Sequence, residues 1–263
     1  MNIDLKKYKR VFAFGCSFTY YKWPTWADLI AVETKAKYYN YAISGLGNMG
    51  IMARVAEANA KYKFNDTDLV MIMWSTFGRE DRWIEHRWFA QGSVWNSEYP
   101  KSWVKDYCDP VGYMIRDHAI INLVNKSLTQ SNCGKILLKS VPFNHTDYSV
   151  VDNEHVTNTL SLLYQKDYDD MPISLYDFLG QEWSTDPVPY ITSEGQLRRD
   201  PHSKPTLYYD YLKACGLELS TTTHDYALAA TNLLSQCTTE QDIRQKFELL
   251  LNDLRSKDFK NLL

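Results

Sequence analysis

Ser17 occupies a position in the sequence where chemistry is possible. It follows Gly-Cys at the end of the apolar run Arg10–Phe14, where a buried strand must turn toward a helix. A serine there could cap or shape the turn, or it could be a nucleophile held at the mouth of a sheet. A nucleophilic serine needs a base, and histidine titrates near neutral pH. The late stretch "RRDPHS", which contains Asp200 and His202, offers that base.

The predicted strands and helices determine whether Ser17, Asp200 and His202 can lie close together. Apolar runs of strand type at 10–14, 37–43, 68–74 and 135–141 alternate with helical stretches. The run 68–74 is apolar on both faces, as strands of parallel sheets are. Repeated β-α units predict an α/β protein with a central parallel sheet of about five strands between layers of helices, the fifth strand being 173–179.

Open α/β sheets bind their ligands beyond the carboxyl ends of the strands. Small polar residues follow each of the first three predicted strands, and an Asp-x-His pair comes late in the chain. We expect all of them at one edge of the sheet. They are Ser17; then Ser44, Gly45, Gly47 and Asn48; then Ser75, Thr76 and Arg79; and finally Asp200 and His202.

This order of blocks resembles the SGNH hydrolases, the GDSL-type esterases and lipases. In that family the first strand ends in Gly-Asp-Ser, which is Gly-Cys-Ser here, and a late loop supplies Asp and His. The similar blocks are short and lie within residues 12–212. The resemblance implies a flavodoxin-like three-layer sandwich and a serine esterase. It also implies a Ser17, His202 and Asp200 triad, with the amides of Ser17 and Gly45 in the oxyanion hole.

The chemistry explains these residue types. His202 would take the proton of Ser17, while Asp200 would fix the imidazole tautomer and stabilise the imidazolium. Each donor to the oxyanion would contribute about 3 kcal/mol to the stability of the transition state. A glycine suits position 45 because the backbone must approach the substrate closely there.

Two of the blocks depart from the family pattern around the triad. Cys16 replaces the usual Asp, a change that leaves Ser17 in place. The late loop reads Asp-x-His where the family usually has Asp-x-x-His. The shorter spacing predicts that Asp200 orients His202 by a less direct hydrogen-bond route.

The third block departs further. It reads "WSTFGRED" and lacks the family's Gly-x-Asn-Asp, so the usual amide donor to the oxyanion is missing. Thr76 lies at about the right position, and we expect it to replace that donor. Ser75 and Arg79 are the alternatives.

A rival motif, "GLGNMG" at 45–50, fits Gly-x-Gly-x-x-Gly between a strand and a helix. This is the pattern of a dinucleotide-binding loop, so an NAD(P)-binding oxidoreductase is an alternative. Such a loop also needs an acidic residue about 20 positions on, at the far end of the next strand. Asp66 and Asp68 come before that strand, whereas Ser75 and Thr76 follow it. The acid is therefore expected at the wrong edge of the sheet.

A second alternative is a carbohydrate-binding relic of the same fold with weak turnover. The segment 79–110 is rich in tryptophan, and aromatic rings can stack on sugar faces. The joint presence of Ser17, Asp200 and His202 favours a hydrolase, so we expect an ester substrate, with an O-acetylated carbohydrate as one candidate. The tryptophans are Trp83, Trp88, Trp95 and Trp103.

Composition argues against several other classes. The net charge of −3 gives no basis for a nucleic-acid partner. Five scattered cysteines without a C-x-x-C pair predict neither a disulfide framework nor a zinc site, and we expect no metal and no cofactor. No apolar run is long enough for a membrane span, and no signal-peptide pattern opens the sequence, so a cytoplasmic protein is expected. The oligomeric state is open.

The sequence contains no repeat and no low-complexity linker. We predict one hydrolase-like domain over 1–219, with insertions at about 79–110 and 144–199. Residues 220–263 are predicted to be a helical extension of the same domain.

Overall fold

Parallel strands form the centre of the protein. The computed structural model describes residues 3–95, 99–143, 154–183 and 186–255. In chain order the elements are β1 (Arg10–Phe14), α1 (Trp26–Thr34), β2 (Lys37–Asn40), α2 (Asn48–Tyr62), β3 (Asp68–Trp74), β4 (Arg79–Ile84), β5 (Arg87–Ser93), α3 (Lys101–Tyr107), α4 (Pro110–Gln130), β6 (Gly134–Lys139), α5 (Glu154–Asp169), α6 (Leu175–Phe178), β7 (Val188–Ile191), β8 (Leu197–Asp200), α7 (Pro205–Ala214), α8 (Thr221–Ser235) and α9 (Glu240–Leu254), after a short 3-10 helix at Leu5–Lys7.

The central sheet has the strand order β2-β1-β3-β6, and all of its pairings are parallel. Arg10 starts β1 opposite Lys37 of β2 and Asp68 of β3, so the first strand lies between the next two. This is the beginning of the flavodoxin-like doubly wound order. The predicted α/β class, with a parallel sheet between helices, is confirmed.

Side chains of the inner strands alternate between two cores. Val11 and Ala13 of β1 pack with α1 and α7 on one face. Phe12 and Phe14 pack with α2 and α4 on the other. Because both faces are covered, β3 is buried along its whole length, which explains its continuous apolar sequence. The three layers place the carboxyl ends of β1, β2 and β3 together at one edge.

The prediction of a fifth strand at 173–179 was wrong. The part of the chain that the structure describes contains four strands in this sheet, and the segment forms helix α6 instead. Ser174 caps the helix by accepting a hydrogen bond from Asp177 N at 3.0 Å. Leu175 and Leu179, four positions apart, are both buried in the same core, which is helical spacing. Short apolar runs do not by themselves distinguish a strand from a helix.

A further core joins the C-terminal helices to the rest. The hairpin of β7 and β8 packs with α8 and α9 around Trp23, which lies in the loop after β1. At the end of α9, Arg255 donates to both carboxylate oxygens of Asp28, at 2.8 and 2.7 Å. Asp28 also accepts from the backbone N of Thr25, the residue that precedes α1. The end of α9 is thus fixed to the start of α1.

The predicted insertions correspond to recognisable elements. The segment 79–110 contains the antiparallel hairpin of β4 and β5 and helix α3. The segment 144–199 contains α5, α6 and β7. Residues 144–153 and 184–185 of this segment, and residues 256–263 of the predicted extension, lie outside the described residues. The division into domain and extension stays a prediction. No helix within the described ranges is both long and apolar enough to cross a membrane.

His118 is a core residue with an unusual environment. Its ring is fully buried in α4, stacked on Phe143 at 4.3 Å and edge-on to Tyr168 at 5.1 Å. Neither ring nitrogen has a hydrogen-bond partner among the described residues. Burial lowers the pKa of His118 to about 4, although the carboxylate of Asp167 acts in the opposite direction.

Replacing His118 by Phe should make the protein less sensitive to acid. Between the unfolded pKa of about 6.5 and the folded pKa of about 4, only the unfolded chain gains a proton, so the free energy of unfolding falls as pH falls. Between neutral and mildly acidic pH, we expect the free energy of unfolding of His118→Phe to fall by about 1–3 kcal/mol less than that of wild type. Urea titrations at two pH values measure this. His155→Gln, at an exposed position of α5, is the control. Equal losses in wild type and His118→Phe would contradict the prediction.

Candidate active site

The turn after β1 presents Ser17 at the carboxyl edge of the sheet. The backbone N of Thr19 and of Tyr20 both donate to Cys16 O, at 2.9 and 3.1 Å, which closes a tight turn around Ser17. Cys16 is fully buried in the core beneath it, so the position that is Asp in the family holds an apolar contact here. Ser17 itself is partly exposed. The turn therefore buries its neighbour and leaves the serine accessible.

Asp200 and His202 form a direct pair at the end of β8. His202 Nδ1 lies 2.6 Å from Asp200 Oδ1, and the backbone N of His202 donates to the same oxygen at 3.1 Å. The expectation of a less direct route was therefore wrong. With one residue between them, the carboxylate reaches both the backbone and the ring of His202, so the shorter spacing closes a small turn and retains the side-chain contact.

The charge of Asp200 fixes the tautomer of His202. Burial alone would raise the pKa of this carboxyl, but hydrogen bonds from His202 and Tyr21 outweigh it and lower the pKa to about 2. An ionised carboxylate only accepts hydrogen bonds, so Nδ1 must carry the proton that is donated to it. In a neutral imidazole, Nε2 then holds the lone pair. Nε2 is buried and has no hydrogen-bond partner among the described residues.

Two tyrosines complete the surroundings of Asp200. The hydroxyls of Tyr21 and Tyr190 donate to Oδ2, the latter at 3.2 Å. The Tyr21 ring also stacks on the imidazole of His202, with the ring centroids 3.7 Å apart and the planes inclined by 17°. Sequence reasoning missed both tyrosines. Tyr21 gave one signal, because it follows Ser17 by four positions in the same loop.

Aromatic contacts bring the loop of Ser17 to the loop of His202. The Phe18 ring lies 5.1 Å from the imidazole, and Trp23 Nε1 donates to Ser203 O at 2.9 Å. The structure thus brings the two predicted parts of the site to the same edge of the sheet. A hydrogen bond between Ser17 and His202 is not formed among the described residues, since Nε2 has no partner, and that contact stays a prediction.

Gly45 follows β2 and lies beside the Ser17 turn. Ile43 N donates to Gly15 O at 3.2 Å, which continues the pairing of β2 with the start of the turn. Gly45 has φ +81°, and a Cβ there would lie 2.5 Å from Ala90 O. The positive φ and the close contact with β5 explain why position 45 is a glycine. This reason differs from the expected one, which was a close approach of the backbone to substrate. The amide N–H groups of Ser17 and Gly45 donate to no other described residue.

The end of β3 is held by side chains already engaged with one another. Thr76 is buried, and its Oγ1 accepts from Arg79 Nε at 3.0 Å. Ser75 N donates to Asn48 Oδ1 at 2.8 Å, and Asn48 Nδ2 donates to Ser75 O and to Asp117. The Ser75 hydroxyl is buried without a partner among the described residues. The role of Thr76 at the oxyanion, and its alternatives, stay predictions.

Backbone amides of the glycine-rich stretch 45–50 are hydrogen-bonded to a side chain of the protein itself. Gly47 N and Gly50 N, at the start of α2, donate at 2.8 Å each to the two carboxylate oxygens of Asp81 in β4. These are the amides that would hold a dinucleotide phosphate. Asp68, the candidate acid, pairs with Arg10 at the opposite edge of the sheet, 2.6 Å away. Within the described ranges, no group of three or more His, Cys, Asp or Glu side chains is arranged to hold a metal ion.

Comparison with known proteins finds weak similarity to solved structures. No protein-family model matches the sequence, and no curated protein matches it. Among solved structures, the esterase EstA from Pseudoalteromonas sp. is 10% identical with a TM-score of 0.39, over 78% of this chain and 96% of that one. A GDSL-like lipase from Bacteroides thetaiotaomicron is 12% identical with a TM-score of 0.37, over 83% of this chain and 89% of that one. TesA is 14% identical with a TM-score of 0.38, over 78% and 97%.

A larger protein from Bacillus subtilis is also similar in part. It is 13% identical with a TM-score of 0.34, and the matched region spans 61% of this chain and 42% of that chain. With similarities this low, the function has to be inferred from this chain's own side chains.

Asp200 should stabilise the fold in a pH-dependent way. Its folded pKa of about 2 lies below an unfolded value of about 3.9, so its stabilisation is present above about pH 4 and is lost as pH falls toward 2. We expect Asp200→Asn to lower the free energy of unfolding by about 2 kcal/mol at neutral pH, with the difference from wild type vanishing near pH 2. Denaturant titrations across this range measure it. Asp186→Asn, at a side chain 60% exposed, is the control. A difference between Asp200→Asn and wild type that does not change with pH would contradict the prediction.

Proposed function

We propose that this protein is a serine hydrolase that cleaves an ester through an acyl-enzyme intermediate. One observation carries the proposal. The imidazole of His202 is held by Asp200, keeps an unpartnered Nε2, and packs against the loop that contains Ser17. A histidine with a carboxylate on one nitrogen and an unpartnered second nitrogen, packed against a loop that carries an accessible serine, supports nucleophilic acyl transfer.

The reaction follows from these atoms. His202 Nε2 takes the proton of Ser17 as Oγ forms a bond to the ester carbonyl carbon, and the carbonyl oxygen becomes an oxyanion. The bond to the alcohol oxygen then breaks, and Nε2 returns its proton to that oxygen. A water molecule gives a proton to Nε2 as it attacks the acyl carbon. The bond between that carbon and Ser17 Oγ then breaks, and Nε2 returns its proton to Oγ, which releases the carboxylic acid and restores Ser17. Asp200 stays ionised throughout and stabilises the imidazolium.

The oxyanion requires hydrogen-bond donors that are not already engaged. The amides of Ser17 and Gly45 donate to no other described residue, which supports their assignment to this role. Thr76 is the proposed third donor. Its Oγ1 accepts a hydrogen bond from Arg79 Nε at 3.0 Å, which holds the two side chains together at the end of β3. Each such donor contributes about 3 kcal/mol in enzymes where it has been removed.

Two observations weigh against the alternatives. An NAD(P)-binding role would need the N-terminal amides of α2, and Asp81 already accepts hydrogen bonds from two of them. A dinucleotide phosphate would compete with a carboxylate fixed by its own strand. A carbohydrate-binding relic has no need of a paired Asp200 and His202, although only a measurement of turnover separates the relic from the enzyme.

Ser17 and His202 should act as one catalytic unit. We expect a fluorophosphonate probe to label the protein at Ser17, and Ser17→Ala or His202→Ala to lower hydrolysis of 4-nitrophenyl acetate by roughly 1,000-fold or more. The double variant should lose little beyond either single variant, because members of one unit are strongly non-additive. Ser193→Ala, at an exposed serine outside the site, should keep full labelling and activity. An unlabelled wild-type protein that still binds oligosaccharide would instead favour the carbohydrate-binding relic.

We also propose an O-acetylated carbohydrate as the substrate class. The hairpin of β4 and β5 flanks the site, because Gly92 N donates to Gly45 O at 3.0 Å. The hairpin and the chain through α3 carry two separate groups of contacting rings, Trp83 with Trp88 and a second group that runs from Phe89 into α3, and we call the two groups together the aromatic surface. Such rings offer flat apolar faces with polar edges, which suits the faces of sugars. Its members are Trp83, Trp88, Phe89, Tyr99, Trp103 and Tyr107.

Trp83 is the most exposed tryptophan of this surface, at 44%, and serves to test the substrate class. We expect Trp83→Ala to raise KM for an acetylated oligosaccharide roughly 3- to 10-fold while leaving hydrolysis of 4-nitrophenyl acetate unchanged. Ile84→Ala removes an adjacent aliphatic side chain, 42% exposed, and should change neither substrate. Equal effects of Trp83→Ala on both substrates would indicate a structural role and remove the support for carbohydrate.

A further inference from the structure

Tyr21 contacts both partners of the acid–base pair with a single side chain. Its hydroxyl donates to Asp200 Oδ2. Its ring stacks on the imidazole of His202 with centroids 3.7 Å apart and planes 17° from parallel. The first contact limits rotation of the carboxylate, and the second limits rotation of the imidazole about its own bonds. These are the two motions that would move Nε2 away from a serine.

The position of Tyr21 in the chain gives these contacts their significance. Asp200 Oδ1 is already held by the backbone and ring of His202, in the same loop. Oδ2 accepts from Tyr190, in the same hairpin, and from Tyr21. Among the described donors to Asp200, Tyr21 alone comes from the loop that carries Ser17. The other donors hold the base within its own loop, whereas Tyr21 sets where that base lies relative to the nucleophile.

The backbone of Tyr21 is itself anchored. Arg255 Nη1 donates to Tyr21 O at 3.2 Å, and the same guanidinium lies over the ring of Tyr20 at 4.3 Å. Arg255 is 9% exposed and is paired with Asp28, which is fully buried at the start of α1. The Tyr21 ring also meets the edge of the buried Trp23 at 4.6 Å. Tyr21 is therefore a fixed point from which the hydroxyl can hold Asp200.

We propose that Tyr21 is a positioning residue of the active site, holding Asp200 and His202 in register with Ser17. This inference rests on the proposed function, because the geometry that Tyr21 maintains matters for catalysis only if Ser17 is the nucleophile. Tyr21 exchanges no proton with substrate or Ser17 and acts through the orientation of Asp200 and of the imidazole. Burial, the hydrogen bond to Asp200 and the charge of that carboxylate raise the pKa of Tyr21 well above its ordinary value, which keeps the phenol protonated and able to donate.

Two substitutions separate the contacts of Tyr21. Tyr21→Phe removes the hydroxyl and keeps the ring stack, whereas Tyr21→Leu removes both. The matched control is Tyr226→Phe, which deletes a buried hydroxyl that has no hydrogen-bond partner among the described residues. Each variant is measured for kcat and KM with 4-nitrophenyl acetate, for the rate of fluorophosphonate labelling at Ser17, and for the NMR resonance of the Nδ1 proton of His202.

A positioning role predicts a defined pattern. Tyr21→Phe should lower kcat roughly 10-fold with KM nearly unchanged, since a hydrogen bond to a charged group is lost while substrate contacts remain. Tyr21→Leu should lower kcat further, and the Nδ1 proton resonance should move in Tyr21→Phe and broaden or vanish in Tyr21→Leu. Tyr226→Phe should match wild type in every readout.

The outcomes distinguish this inference from the proposed function. If wild type is labelled at Ser17 but Tyr21→Phe and Tyr21→Leu keep wild-type kcat and the same Nδ1 resonance, the role of Tyr21 is overturned and the hydrolase stands. If Tyr21→Phe and Tyr226→Phe lose activity equally, the effect belongs to core packing and the inference also falls. If wild type is neither labelled nor active, the proposed function fails first and the role of Tyr21 falls with it.

Discussion

A carboxylate with no exposed surface, Asp200, is the interaction on which the candidate site depends. Removing a charged group from water is expensive unless donors replace the water, and leaving a buried charge unpaired typically costs 3–5 kcal/mol. Here the described donors are the backbone and ring of His202 and the hydroxyls of Tyr21 and Tyr190. They come from the late loop, from β7 and from the loop after β1. The need to satisfy one charge therefore draws the loop after β1 to the hairpin of β7 and β8.

The sheet order makes that convergence possible. Because β1 lies between β2 and β3, the turns that follow all three strands meet at one edge. A second buried carboxylate, Asp81, fixes the covering hairpin there by accepting from the amides at the start of α2. The same anion-binding property of a helix N-terminus that serves nucleotides in other proteins is used here to attach one element to another. The glycines at 45–50 are explained by this attachment.

Elements and residues that depend on local sequence pattern were predictable, whereas those that depend on contacts between distant parts of the chain were not. The run 68–74 was predictable as a strand because both of its faces are apolar, and the neighbourhood of Ser17 with Asp200 and His202 followed from strand ends sharing an edge. The helix within 173–179 could not be predicted, because it depends on the cap at Ser174 and on the core in which its leucines are buried. Tyr21 and Asp81 act through partners far along the chain. Apart from the nearness of Tyr21 to Ser17 in the sequence, nothing local marks these residues, so only the folded chain reveals their roles.

Two histidines of this protein show why residue type alone is a weak guide to function. His118 and His202 are both packed against aromatic rings, and both have a buried ring nitrogen without a partner in the described part of the chain. For His118 neither ring nitrogen has a hydrogen-bond partner in the described part of the chain, and burial among aromatic rings lowers its pKa to about 4, which keeps the imidazole neutral at neutral pH. For His202 a carboxylate bonds Nδ1, which fixes the proton on that nitrogen and directs the lone pair of Nε2 outward from the pair. In the proposed hydrolase, the carboxylate partner and the tyrosine that holds it distinguish the general base from the core histidine.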